Sequence, residues 1–144
     1  FLIQHGAHVH ASDLGGNTAL HWAAFAGHTT TAKLLIENHA EVDARNSFGL
    51  TPLLQATARR HLKTILLLIN SGANLDTAAR DGWTALHKAA AMGCTDIVWP
   101  LIRQGANINI KNLDGDTPIK VAIKNKQEAV MKILMSVSDT GSMD

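Results

Sequence analysis

Gly-Trp-Thr-Ala-Leu-His-Lys-Ala-Ala (82–90) decides the fold, because each of its key positions returns at a fixed distance along the chain. Its glycine belongs to the series Gly16, Gly49, Gly82 and Gly115, spaced 33 residues apart. Its threonine belongs to Thr18, Thr51, Thr84 and Thr117, its leucine to Leu20, Leu53, Leu86 and Ile119, and its first alanine of the final pair to Ala23, Ala56, Ala89 and Ala122. Ladders in one shared register describe a unit that cannot bury its apolar face alone and must stack on copies of itself. The expected result is an all-α repeat solenoid, and an extended surface of that kind is suited to binding.

One period gives the anatomy of the unit. In Thr-Ala-Leu-His-Trp-Ala-Ala (18–24) the threonine is a good N-cap, and Leu20, Ala23 and Ala24 share a helical face. Gly27 closes this first helix, and a second apolar stretch around Ala32, Leu34, Leu35 and Ile36 forms another that ends near His39. Between Ala40 and Gly49 the chain carries Val42 and the turn formers Asp43 and Asn46, which predicts a β-hairpin-like connection to the next helix pair.

Bulk properties narrow the function. The 144 residues are 46% hydrophobic but only 4% aromatic, which fits a stack of Ala and Leu better than one core enclosing a cofactor, so none is expected. Net charge is +1, with 13 Lys and Arg interspersed among 12 Asp and Glu, so no strong field attracts nucleic acid or an anionic membrane. Cys94 stands alone, which excludes an internal disulfide framework, and no apolar run approaches the roughly 20 residues of a membrane span. The expected home is the cytoplasm or nucleus.

The segments Thr-Ala-Leu-His-Trp-Ala-Ala (18–24), Leu-Thr-Pro-Leu-Leu-Gln-Ala (50–56), Gly-Trp-Thr-Ala-Leu-His-Lys-Ala-Ala (82–90) and Asp-Thr-Pro-Ile-Lys-Val-Ala (116–122) closely resemble the signature of ankyrin repeats, as does Gly-Ala-Asn at 72–74 and 105–107. The resemblance implies stacked helix-turn-helix repeats and a non-enzymatic module that binds a protein or peptide. It places the end of a truncated repeat at 1–13, where Phe1-Leu2-Ile3 aligns with Leu34-Leu35-Ile36, and full repeats at 14–46, 47–79 and 80–112. The expectation is a fragment of a longer repeat domain. A capping repeat at 113–138 is marked by the polar Lys120, Lys124, Asn125 and Lys126, and a polar tail at 139–144 is expected to be disordered.

Ankyrin repeats bind through hairpin tips and first helices, so the resemblance carries contact positions onto Trp22, Phe25, Phe48, Leu50, Arg59, Arg80, Asp81, Trp83, Lys88, Met92, Leu113 and Asp114. Phe25, Phe48, Leu50, Trp83 and Met92 would form an apolar stripe with Arg59 as a charged anchor. The plainer alternative is that an aromatic such as Trp83 only covers the neighbouring hairpin. Two other functions are weighed against simple partner binding. Leu20-His21-Trp22-Ala23-Ala24-Phe25 is similar to one wall of the aromatic cage of methyl-lysine-reading ankyrin domains, but Gln55 stands at the next Trp22 position. The other is a substrate-recruiting domain of a larger enzyme.

Motifs for chemistry are weak. Cys94 has no base placed beside it by the repeat pattern, and His5, His8 and His10 share a loop without a carboxylate or thiol to complete a metal set. Asp114-Gly115-Asp116 lacks the later ligands of a calcium loop, and Gly15-Gly16 has no following Lys-Ser or Lys-Thr for phosphate. No metal site is expected.

Departures from the repeat carry local expectations. Arg60 and Lys126 replace the glycine that ends the first helix, and His39 the one that follows the second, which unsettles the local geometry; Arg60 should be strained, by about 1 kcal/mol, if it takes the left-handed conformation open to Gly27 and Gly93. Pro100 should make its helix start late or bend. Trp99 aligns with Lys33, Leu66 and Lys132 on the outer side, where it either offers a weak convex contact in an otherwise monomeric chain or folds over the gap beside Pro100.

Overall fold

The computed structural model describes residues 11–143, with side chains through Ser138. Among the described residues there are eight helices: α1 (Ala19–Ala26), α2 (Thr29–Glu37), α3 (Pro52–Ala58), α4 (Leu62–Asn70), α5 (Ala85–Met92), α6 (Thr95–Arg103), α7 (Pro118–Lys124) and α8 (Glu128–Met143). The first helices α1, α3, α5 and α7 stack in one layer, and α2, α4, α6 and α8 in a second layer against it. No strand is present among the described residues, so the chain is an all-α solenoid.

Each first helix begins at its threonine. Thr18, Thr51, Thr84 and Thr117 are extended, and each hydroxyl accepts from the backbone N–H three residues on. In α1 and α5 the third helical residue, His21 or His87, reaches back to the backbone of the cap and completes a capping box. In α3 and α7 Pro52 and Pro118 occupy the first turn, where a missing N–H breaks no helical bond.

Leu20, Leu53 and Leu86 of the first layer and Ile65, Leu68, Ile97, Leu101 and Leu134 of the second are almost fully buried. Each such side chain contributes about 1.5–3 kcal/mol. Alanines 24, 56, 89, 90 and 122 have no exposed surface, and their small size lets neighbouring helices approach.

The connections are hairpins in hydrogen bonding although too short to be strands. Asp13, Asn46, Ala79 and Asn112 donate their N–H to the carbonyls of Asn17, Leu50, Trp83 and Asp116 at 2.9–3.0 Å. Successive tips are then joined: Ser47 donates to Gly15 at 2.9 Å, Arg80 to Phe48 at 3.2 Å and Leu113 to Asp81 at 3.2 Å. The result is a continuous ribbon of tips beside the first-helix layer.

His39, Arg60 and Lys126 take positive φ values, of 72°, 60° and 57°, so the left-handed condition set for Arg60 is met and the other two share it. Pro100, by contrast, does not delay α6. That helix starts at Thr95, in register with Thr29 of α2 and Leu62 of α4, because burial of Ile97, Val98 and Leu101 fixes its first turns. At the other end the α8 backbone stays helical to Met143, which differs from the disordered tail expected over 139–144; once the packed turns around Val130 and Leu134 exist, adding helical residues needs no new nucleus. The expectations for Phe1-Leu2-Ile3 and for His5, His8 and His10 lie outside the described residues.

Candidate functional site

A groove of about 180 Å³ opens between the first helices and the tip ribbon, lined by Phe25, Leu50, Leu54, Gln55, Ala58, Arg59, Ala79, Asp81, Trp83 and Lys88. Phe25 arrives from the last turn of α1; Leu54, Gln55 and Ala58 come from α3, and Arg59 is the residue that caps it. The hairpin closed by Ala79 and Trp83 forms the facing wall, and Lys88 reaches over from α5. The lining is mostly apolar, with charge confined to Arg59, Asp81 and Lys88.

Both aromatic walls carry a cation. The Arg59 guanidinium lies 4.8 Å from the Phe25 ring centre, and the Lys88 ammonium 5.3 Å from that of Trp83. Trp83 also leans on His87, with ring centres 5.8 Å apart. The Asp81 carboxylate is used locally, accepting the Trp83 N–H at 3.0 Å.

The groove therefore unites Phe25, Leu50, Arg59, Asp81, Trp83 and Lys88 of the contact positions expected from sequence. Trp22 stands beside it, edge-on to Phe25 at 6.3 Å, with its indole N–H donating to Asp13 Oδ2 at 3.1 Å. Phe48 and Leu113 are exposed at the tips, 68% and 77% accessible, with Arg80 and Asp114 on the same ribbon. Met92 is drawn partly into the core, so it does not join an exposed stripe.

Leu54 and Ala79 are lining residues not singled out from sequence. The repeat register carried a signal for both: Leu54 stands where other copies have His21 and His87, and Ala79 where they have Asn46 and Asn112. An apolar residue at each place, instead of a polar structural one, keeps the lining of the groove apolar here.

The titratable groups with shifted pKa values serve the frame. Burial pushes His21 and His87 below the ordinary histidine value, and each is held between its cap threonine and the next hairpin. Burial also raises the Cys94 thiol, which favours the unreactive protonated form. The Asp13 carboxyl is lowered, chiefly by the Asn17 backbone N–H, and the Lys124 ammonium is raised by its bond to Asp116. Among the described residues no three His, Cys, Asp or Glu side chains converge as metal ligands would. No helix there is long and apolar enough to cross a membrane.

A family model described as Ankyrin repeats (3 copies) matches residues 1–79, 38–112 and 67–144. The chain belongs to the ankyrin-repeat family. Ankyrin repeats are in general protein–protein interaction modules without enzymatic activity of their own. A search of curated proteins found no significant match.

Proposed function

We propose that this ankyrin-repeat chain binds a partner protein by taking an apolar side chain of an extended segment into the groove between Phe25 and Trp83. The carrying observation is the convergence of Phe25, Leu50, Leu54, Ala58, Ala79 and Trp83, drawn from successive repeats, on one open apolar concavity. Its volume of about 180 Å³ suits one side chain better than a cofactor, since small-molecule pockets typically run to about 300–1,000 Å³. In this reading the repeats are 14–46, 47–79 and 80–112, closed by 113–138, and Trp22, Phe48, Arg80, Leu113 and Asp114 flank the bound segment on the helix and ribbon sides.

Trp83 is placed here at a structural cost, which supports a role beyond covering a hairpin. Asn46 donates its side-chain Nδ2–H to Asn17 Oδ1 at 2.8 Å, whereas Asn112, its counterpart, has a buried Nδ2 without a partner because Trp83 occupies the Asn17 position. A buried unpaired donor costs about 1–3 kcal/mol. The methyl-lysine reading is disfavoured by Arg59 on the face of Phe25, where an incoming cation would meet like charge.

The test is selection of displayed random peptides on the full chain, followed by affinity measurement on variants that keep the wild-type melting temperature. Ala58→Trp, which fills the groove, should abolish binding, and Trp83→Ala should cost about 2 kcal/mol or more, roughly thirtyfold in Kd. Trp99→Ser, on the opposite face, should change nothing. Peptides that bind Ala58→Trp and Trp83→Ala as well as wild type would refute the groove.

A further inference from the structure

We infer that the partner segment is acidic, with an Asp or Glu next to the apolar side chain that enters the groove and a backbone N–H paired with Gln55; the inference rests on the groove reading above.

Arg59 and Lys88 border the groove from α3 and α5, and neither takes part in the ion pairs formed among the described residues, which join Lys120 and Lys124 to Asp116. Arg80 adds a third cation, exposed on the adjacent tip. The single anion of the lining, Asp81, already accepts the Trp83 N–H. Both cations lie over aromatic faces, so those faces are closed to a cationic guest, while the outward sides of the guanidinium and ammonium still offer donors to a carboxylate.

Asn46 Oδ1 accepts the N–H groups of Phe48 at 2.9 Å and Leu50 at 3.0 Å, which fixes its amide with Nδ2 toward Asn17 Oδ1. That oxygen is an acceptor, so the Gln55 amide must turn Nε2 toward it, at 3.5 Å. Gln55 Oε1 is then left buried without a partner in a residue that lines the groove. An N–H of an extended chain whose side chain fills the slot would pair with this acceptor once the Gln55 side chain turns its oxygen out to the groove surface.

The experiment uses peptides selected from a random displayed library on the full 144-residue chain, read by sequence enrichment and fluorescence anisotropy. Enrichment of an apolar residue adjacent to Asp or Glu is expected, with affinity lost about tenfold for Arg59→Glu or Lys88→Glu and falling as salt rises. Library selection on the Arg59→Glu/Lys88→Glu protein should turn toward Lys and Arg. N-methylation at one peptide position should weaken binding to wild type and have no further effect on Gln55→Met. Peptides that are apolar but neutral or basic, blocked by Ala58→Trp yet indifferent to both charge reversals, would overturn the acidic segment and leave the groove standing. Peptides indifferent to Ala58→Trp, or none enriched at all, would overturn both. Arg59 is exposed and Lys88 half-buried, and circular dichroism melting of either single variant gives the fold control.

Discussion

The Nε2 of His21 lies 2.8 Å from the carbonyl oxygen of Leu50, 29 residues on, so a side chain in one capping box ties down the hairpin of the next repeat. The backbone N–H of Thr18 donates to the Nδ1 of the same ring at 3.0 Å, which fixes the neutral tautomer with its proton on Nε2. His87 repeats the arrangement with Thr84 and the Asp116 carbonyl at 2.8 Å.

Protonation of either ring would break the bond from the cap. Burial lowers both folded-state pKa values, so the unfolded chain takes up protons first, near the ordinary histidine value of about 6.5. Stability should be level above that pH and fall as pH drops from there toward the lowered folded values, at a limiting slope of about 1.4 kcal/mol per unit for each histidine. Urea midpoints from pH 8 to 5 should show this decline. It should flatten in His21→Gln/His87→Gln, since glutamine retains the capping box without titrating in this range.

Arg60 holds φ 60° at the place where Gly27 and Gly93 have 75° and 71°. Arg60→Gly should stabilise by up to about 1 kcal/mol by relieving the left-handed strain, less the extra freedom glycine gives the unfolded chain. Thermal melts decide the point, and a lower melting temperature would mean that the arginine side chain makes a compensating contact.

Gly82 and Gly115 share one turn geometry, with φ of 81° and 80°, but not one environment. A Cβ on Gly82 would lie 2.6 Å from the Leu113 backbone nitrogen, whereas one on Gly115 would meet nothing within 4 Å. Gly115→Ala should cost about 1 kcal/mol of conformational strain, and Gly82→Ala clearly more because it also pushes apart the bond from Leu113 to Asp81. Equal losses in chemical denaturation would contradict the close approach.

Pro100 lies inside α6 yet leaves its start unmoved, so its cost is retained as missing stability. Pro100→Leu restores a helical N–H and should raise stability by up to about 3 kcal/mol, with no change in peptide affinity because Pro100 does not line the groove. Calorimetry and the anisotropy assay read the two effects separately.

Trp99 is 39% exposed, with the Arg103 guanidinium 5.7 Å from its ring, and Leu66 is 36% exposed. With Trp22 and Trp83 replaced by Phe, its emission should be red-shifted and open to quenching. A blue-shifted, protected emission in the monomer would show a ring folded into the interior.

The 33-residue ladders determined the solenoid, because threonine caps, turn glycines and helix-face alanines act within one repeat or on its identical neighbour. That Arg60, Lys126 and His39 each replace a glycine was legible for the same reason, in the repeat register, while the left-handed backbone of all three came from the structure. Tertiary structure alone decided which of these positions share one groove. Phe25, Arg59, Trp83 and Lys88 come from three first helices and a hairpin, and their meeting depends on rotamers and spacing that no single repeat specifies. Asp13 captures the Trp22 indole, and Met92 is drawn toward the core, because each finds a better partner in three dimensions than the surface pattern shows. Gln55 is the sharpest case: only the fixed amides of Asn46 and Asn17 reveal that its oxygen is left without a donor beside the groove.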